Sequence, residues 1–247
     1  MSEPTDAEAP NDVAVLVPAA GEGRRLGGPR KQFRTLGDRP LLVQVLLVFE
    51  RHPAVGHIVV AVPEAHVQEV SDRLQAEGLS TLGAVVSGGD SRQASVRHAL
   101  RAVPAPVEIV LVHDAVRPFV RAEAVTAVVR ETRSHGAASL AMPVADTLRR
   151  ADEGVFGETV ARRELYRMQT PQGVRRAWLE EAHRQAAAAD GRPATDDVGL
   201  VQRAGRDVRL VEGHRRNFKI TTTGDWQMAQ QLWAAWATDP DRSASGS

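Results

Sequence analysis

Four cations, Arg24, Arg25, Arg30 and Lys31, fall in one short stretch near the start of the chain. They follow a run of small residues, Pro18-Ala19-Ala20-Gly21-Glu22-Gly23. Glycine adopts positive φ readily and bares its N–H groups, and small side chains let backbone approach a ligand. Bare amides beside guanidinium and ammonium groups make a site for a polyphosphate. Five apolar residues, Val13 to Val17, lead into the run, the length and composition of a buried parallel strand. Gly27, Gly28 and Pro29 argue against a helix through the basic segment. The spacing alone also suits a glycine turn followed by a solvated basic loop. Two familiar phosphate loops do not fit. GxxxxGK followed by Ser or Thr is absent, because Gln32 follows Lys31. The dinucleotide pattern GxGxxG finds Gly21 and Gly23 but meets Leu26 in third place, without an acid at the expected second strand end.

Further chemistry-bearing residues follow other apolar runs. After Leu82 to Val86 comes SGGDSRQASV, Ser87 to Val96. It reads either as an ordinary turn with Asp90 or Ser91 as N-cap, or as a backbone-lined slot for a base or ribose, with Ser95 facing back. After Val107 to Val112 comes HDAVRP, His113 to Pro118. Asp114 and Arg117 put an anion and a cation at a strand end. An exposed ion pair there is worth little, but loops at strand C-termini commonly carry function. LYRMQTPQG, Leu165 to Gly173, reads as a strand stopping at Pro171, with the Thr170 hydroxyl where a phosphate could sit. In TDDVGL, Thr195 to Leu200, Thr195 or Asp196 suits an N-cap, and a substrate contact is equally open. NFKITT, Asn217 to Thr222, reads as a short strand whose Lys219 points away from Phe218 and Ile220, into solvent or a cleft.

The elements that must position these residues are legible in outline. Helices are expected at Leu41 to Glu50, Glu64 to Ala76, Ser91 to Arg101, Arg121 to Ser134, Arg175 to Ala189 and Asp225 to Trp236, the last capped by Thr223. Further strands are expected at Ile58 to Val62 and Ala138 to Pro143. Strands alternating with helices imply a doubly wound, mostly parallel α/β sheet in three layers, Rossmann-like, binding ligands at strand C-termini. From Val144 to Glu164 the rhythm breaks. Asp146 to Arg150 and Val155 to Val160 flank Ala151-Asp152-Glu153-Gly154, a β-hairpin pattern. A lone hairpin is marginal in water, so this protruding arm is expected to lie on a second copy of the chain; a loose surface loop is the alternative.

The 247 residues suit one domain, 13–237, between loose tails at 1–12 and 238–247. The 43% hydrophobic content suffices for a core. Lys plus Arg and Asp plus Glu are 31 each, which disfavours a general nucleic-acid binder and leaves cationic sites local. Cysteine is absent, excluding disulfides, thiolate metal sites and cysteine nucleophiles. No apolar run approaches the roughly 18 residues of a membrane span, and the acidic start does not read as a signal peptide. A cytoplasmic protein is expected.

PAAGEGRRLGGPRKQF resembles the signature loop of the sugar-nucleotide pyrophosphorylase superfamily, AAGxGxRxx ending in Lys. Its KQF ending resembles the branch of cytidylyltransferases acting on 2-C-methyl-D-erythritol 4-phosphate. SGGDSRQASV is similar to that family's GGxxRxxSV, HDAVRP to its HDAARP with Val116 substituted, and LYRMQTPQG to its LxxxQTPQ. TDDVGL is similar to TDDxSL with Gly199 in place of Ser, and NFKIT to the family's Asn-Ile/Leu-Lys-Ile/Val-Thr motif. Six ordered motifs thus run from Val13 to about Trp226. The resemblance implies transfer of a cytidylyl group from CTP to a polyol phosphate, releasing pyrophosphate. It implies catalytic roles for Arg25, Lys31 and Lys219. It implies nucleotide contacts by Pro18, Ala19, Ala20, Gly21, Gly23, Gly89, Asp90, Ser95 and Ala115. Asp114, which would orient substrate or a hydrated metal ion such as Mg²⁺, joins Arg117, Thr147, Arg162, Thr170 and Thr195 on the substrate side. Thr147 and Arg162 would reach from the arm into the partner's site of a homodimer. Ribitol 5-phosphate cytidylyltransferases share most of these motifs. A non-catalytic nucleotide-binding module and a dinucleotide-dependent dehydrogenase are the readings of other classes.

Overall fold

The computed structural model describes residues 11–21, 31–189 and 194–239, with the side chain of Lys31 excepted. The tails therefore lie almost wholly outside it. Of the tail residues within it, Asp12 pairs with Arg133 at 2.6 Å and Asp239 with Arg121 at 3.5 Å.

The chain opens with β1 (Val13–Pro18). A short hairpin, β2 (Thr35–Leu36) and β3 (Arg39–Pro40), leads into α1 (Leu41–Glu50). Then come β4 (Val55–Val62), a 3-10 turn at Glu64–His66, α2 (Val67–Ala76), β5 (Leu82–Ser87) and α3 (Arg92–Arg101). β6 (Ile109–Val112), α4 (Ala122–His135) and β7 (Ala137–Pro143) follow. β8 (Leu148–Asp152) and β9 (Val155–Val160) form the arm. β10 (Tyr166–Arg175), α5 (Arg176–Ala188), α6 (Asp197–Arg203), β11 (Arg209–Glu212) and α7 (Thr223–Ala237) complete the order.

Seven strands make one sheet in the order β11-β7-β10-β6-β1-β4-β5. β10 runs antiparallel to both neighbours, and the remaining pairings are parallel. Side chains of β1 alternate between two cores, as a strand covered on both faces requires. Val13, Val15 and Val17 pack with α1, α2 and α4, while Ala14 and Leu16 pack with α3, α5 and α6. This is the doubly wound, three-layer α/β arrangement. The chain builds outward from β1 to β4 and β5, then returns to β6 on the other flank of β1. That reversal leaves a crevice at the strand C-termini, where open α/β sheets bind ligands.

Several elements depart from the sequence expectation. β10 does not stop at Pro171 but continues to Arg175, with its ladder interrupted between Met168 and Gln172. Proline has no N–H to give a ladder, and the irregularity absorbs it. Residues 217–222 form no strand; that segment is held by the Ile220 N–H on the Val116 carbonyl at 3.0 Å. α7 is capped by Thr222 rather than Thr223: its hydroxyl accepts from Asp225 N–H, and Asp225 accepts in return from Thr222 N–H, a capping box. β11 was not signalled by the sequence, since it is mostly exposed at the sheet edge and shows no buried alternation. A third apolar cluster joins Leu36, Val116 and Phe119 to Ile220, Trp226, Trp233 and Trp236, and so docks α7.

Candidate active site

The loops leaving β1, β5 and β6 surround a cleft of about 780 Å³. The first loop contributes Pro18, Ala19, Ala20 and Gly21, and the second Gly89, Asp90 and Ser95. The third contributes Asp114 and Ala115, and Lys219 enters from the segment ahead of α7. The cation of that final segment and the amides of the first loop therefore share one space. Gly23 and Arg25 lie outside the described residues, as does the Lys31 side chain.

Local hydrogen bonds fix each loop. Ala19 N–H donates to the Ala61 carbonyl at 2.7 Å. The buried Gln32 side chain donates to the Ala19 carbonyl at 2.8 Å, tying the KQF turn back onto the first loop. In the second loop Ser95 is buried, and its Oγ accepts from Gly89 N–H at 3.1 Å and donates to the Ser91 carbonyl at 2.9 Å. Ser91 caps α3 by accepting from Ala94 N–H. Two glycines are required here by close approach. A Cβ at Gly88 would lie 2.4 Å from Ala20 Cβ, and one at Gly89 would lie 2.5 Å from Ala94 Cβ.

Asp114 is the electrostatic centre. It is buried, and a buried carboxylate is costly unless paired. Three cations reach it: Arg117 Nε at 3.1 Å and Lys219 Nζ at 3.2 Å on Oδ2, and Arg92 Nε at 3.3 Å on Oδ1. Burial alone would push this carboxyl up, but Lys219, Arg92 and Arg117 override it and hold Asp114 well below the usual carboxylate range. Arg92 also meets the buried Asp197 at 2.7 Å. Burial opposes the Arg92 charge, and the two carboxylates more than restore it. Burial pushes Asp197 up, against the pull of Arg92.

The three cations differ in freedom. The Lys219 side chain is 40% exposed, against 24% for Arg92 and 11% for Arg117. Arg117 is committed internally: beyond Asp114 it donates to the carbonyls of Asn217 at 2.8 Å and Met168 at 3.4 Å. Lys219 is thus the cation able to leave Asp114 for a phosphate oxygen.

Behind Asp114 runs a chain of neutral hydrogen bonds. The His113 Nε2–H donates to the Arg117 carbonyl at 3.0 Å, because a carbonyl can only accept. Nδ1, bare in the neutral ring, accepts from the Thr170 hydroxyl at 3.0 Å. That hydroxyl in turn accepts from Asp114 N–H at 3.1 Å. Burial pushes His113 down to about 4, so the ring is neutral at neutral pH and keeps this tautomer.

These contacts correct parts of the sequence reading. Thr170 does not line the cleft; its hydroxyl is engaged by Asp114 and His113 rather than open to a phosphate. Arg117 lies behind Asp114 rather than in the cleft. Thr195 is exposed and away from the cleft lining, and Asp196 is the cap of α6, accepting from Gly199 N–H at 2.9 Å. Thr147 and Arg162 are exposed at the base of the arm, where Arg162 donates to the Ala145 carbonyl. Val116, the departure from HDAARP, is buried in the cluster that docks α7. Arg92, Gln32 and Asp197 were not singled out from sequence. Arg92 was readable as the cation inside SGGDSRQASV, but its partner Asp197 lies too far along the chain to be paired with it by spacing.

The donors suit a magnesium ion in one way. Among the described residues no three His, Cys, Asp or Glu side chains gather into a cage. Magnesium is commonly held by one or two carboxylates with substrate phosphate oxygens, and Asp114, with Asp90 also lining the cleft, fits that pattern.

Comparison with known proteins gives the family and the fold. A family model described as IspD, 2-C-methyl-D-erythritol 4-phosphate cytidylyltransferase, matches residues 13–234. A protein of that name from Salinibacter ruber is 67% identical over 230 residues, covering 93% of this chain and 96% of its own. Its namesake from Syntrophotalea carbinolica is 40% identical, covering 88% of this chain and 94% of its own. The crystal structure of the Thermus thermophilus enzyme of that name superposes with a TM-score of 0.77 at 37% identity, covering 90% of this chain and 98% of that one.

Proposed function

The chain belongs to the 2-C-methyl-D-erythritol 4-phosphate cytidylyltransferase family, and from that premise we propose that its cleft performs the family's transfer. A cytidylyl group passes from CTP to 2-C-methyl-D-erythritol 4-phosphate. The products are 4-diphosphocytidyl-2-C-methyl-D-erythritol and pyrophosphate, a step of the non-mevalonate route to isoprenoid precursors.

A phosphate oxygen of the substrate attacks the α-phosphorus of CTP. A new P–O bond forms as the α–β bridging bond breaks, and the electron pair leaves with pyrophosphate. A phosphate monoester has its second pKa near 6, so about nine-tenths is already dianion at neutral pH. No general base is needed, and the neutral His113 faces Thr170 rather than the cleft. The obstacle is bringing an anion onto an anion, which positioning and fixed positive charge overcome. Lys219 supplies charge at the α-phosphate from one side. Arg25 and Lys31 are assigned the opposite side on the family resemblance. The backbone of Ala19 to Gly21 cradles the triphosphate, and Gly89, Asp90 and Ser95 shape the base pocket. A bound divalent ion would neutralise charge on the departing pyrophosphate, with Asp114 and Asp90 as the carboxylates able to hold it. Arg117 and Thr170 act by fixing Asp114 rather than by touching the sugar phosphate.

The observation that carries this reading is Lys219 in one cleft with the first loop, poised on a carboxylate it can release. The protein is proposed as a homodimer joined by the arm at 144–164, with Thr147 and Arg162 serving the neighbouring site. Residues 13–237 are proposed as its single domain. No helix among the described residues is long and apolar enough to cross a membrane, and a cytoplasmic location fits this chemistry. A coupled pyrophosphate-release assay tests the reading, using the four ribonucleoside triphosphates against methylerythritol and ribitol phosphates. Release with CTP and methylerythritol phosphate is expected. Preference for ribitol phosphate would move the assignment to that relative, and binding without release would make the protein a nucleotide-binding module.

A further inference from the structure

A second cavity of about 320 Å³ lies between α3 and α5, lined by Arg97, Leu100 and Arg101 from one helix and Glu180, His183 and Arg184 from the other. His183 is only 4% exposed, yet neither of its ring nitrogens has a hydrogen-bond partner. Arg97 Nε is also buried and unpartnered. Buried polar atoms in native proteins are nearly always satisfied by protein, water or ligand, so three unpaired ones beside a single cavity call for a partner there. The lining already has internal uses for some charges: Glu180 pairs with Arg176 at 2.7 Å, and Arg184 meets Glu181. Arg97 and Arg101 remain, one helical turn apart on the same helix.

We propose that this cavity is a binding site for a small phosphate-bearing anion, held by Arg97, Arg101 and the His183 ring. Phosphate oxygens are strong acceptors that match the guanidinium forks of Arg97 and Arg101, and a shift of the Arg97 side chain that opens its Nε–H to the cavity would satisfy it there. His183 is neutral, pushed down to about 4 by burial and by Arg97, and its single ring N–H donates to a second oxygen. The C-terminal ends of both helices oppose an anion weakly, and the two guanidiniums outweigh them. α3 also carries Arg92 and Ser95 into the main cleft, so the two sites share one rigid element.

Isothermal titration of the full chain with orthophosphate and with pyrophosphate tests this. With the main cleft saturated by CTP, one-to-one binding is expected in the wild type and in Lys219→Ala, which separates this site from the main cleft. The double variant Arg97→Gln/Arg101→Gln should lose about tenfold or more in affinity, comparable to one charge-assisted hydrogen bond. If the double variant melts early, Arg101→Gln alone, altered at an exposed side chain, should still weaken binding several-fold. Tighter binding of orthophosphate identifies a free or single phosphate group as the ligand, and tighter binding of pyrophosphate a diphosphate. Absence of binding in the wild type overturns the proposal. So does unchanged affinity in the arginine variants, or loss of the signal in Lys219→Ala.

Discussion

The surroundings of Asp114 and the β8–β9 arm are opposite solutions to the same problem of placing polar and apolar groups. Around Asp114 a buried carboxylate is met by three cations, and the backbone behind it is locked by His113 and Thr170. In the arm, the two strands pair only with each other, and Val155 and Phe156 stand 71% and 78% exposed. A hairpin of that kind is marginal on its own in water. The described part of the cleft is thus held together by contacts within one chain, whereas the arm presents apolar surface that a second chain would cover.

Several experiments would break or sharpen that contrast. The largest effect is expected at Lys219. Lys219→Ala should keep the wild-type circular dichroism and lose roughly 10²–10³ in kcat, the usual cost of one preorganised charge at a developing anion. Lys31→Ala should do the same. Near-normal turnover in either would remove that residue from the catalytic set. At the arm, Val155→Glu with Phe156→Glu should convert a dimer to monomers in sedimentation velocity, since burying Phe156 is worth about 2 kcal/mol per subunit. A monomeric wild type would remove the arm's proposed role. If Arg162 serves the neighbouring site, mixing Arg162→Ala with Lys219→Ala should restore activity, because one site of each mixed dimer keeps both groups. No recovery would confine each site to its own chain.

Acid should weaken the locked region before the arm. His113 protonates near 6.5 when unfolded and only near 4 when folded. The unfolded state therefore binds more protons in that interval. The stability His113 contributes is full above pH 6.5 and falls as pH drops towards 4, by at most about 3 kcal/mol. Thermal melts at pH 7.5 and 5 should show a smaller loss in His113→Asn; equal losses would clear His113. The smallest effect is expected from Thr170→Val. It strands Asp114 N–H and His113 Nδ1 without a partner, costing about 1–3 kcal/mol in chemical denaturation. Its CTP affinity should stay near wild type, because Thr170 does not line the cleft.

Much of this was legible in the sequence because the interior of a parallel sheet leaves a strong imprint. β1, β4, β6 and α1 are apolar runs of the right length, α2 shows the spacing of an amphipathic helix, and the loops that follow strands carry the unusual polar residues. Legibility failed where position depends on long-range packing. β11 is an exposed edge strand with no buried face to write a pattern. The segment carrying Lys219 is extended without a ladder, so an alternating pattern suggested a strand that does not form. Thr170 offered a hydroxyl beside a strand end, but its direction was fixed by His113, on a different strand's loop. Arg92 was hidden because its two carboxylates come from the β6 loop and from α6.

The docking of α7 has a consequence for biosynthesis. Every strand of the main sheet has been translated by Glu212, whereas Lys219 and the tryptophan-rich helix α7 come afterwards. A chain interrupted between Glu212 and Thr223 would leave Leu36, Val116 and Phe119 without that tryptophan cover, so it is expected to lose stability together with the seat of Lys219.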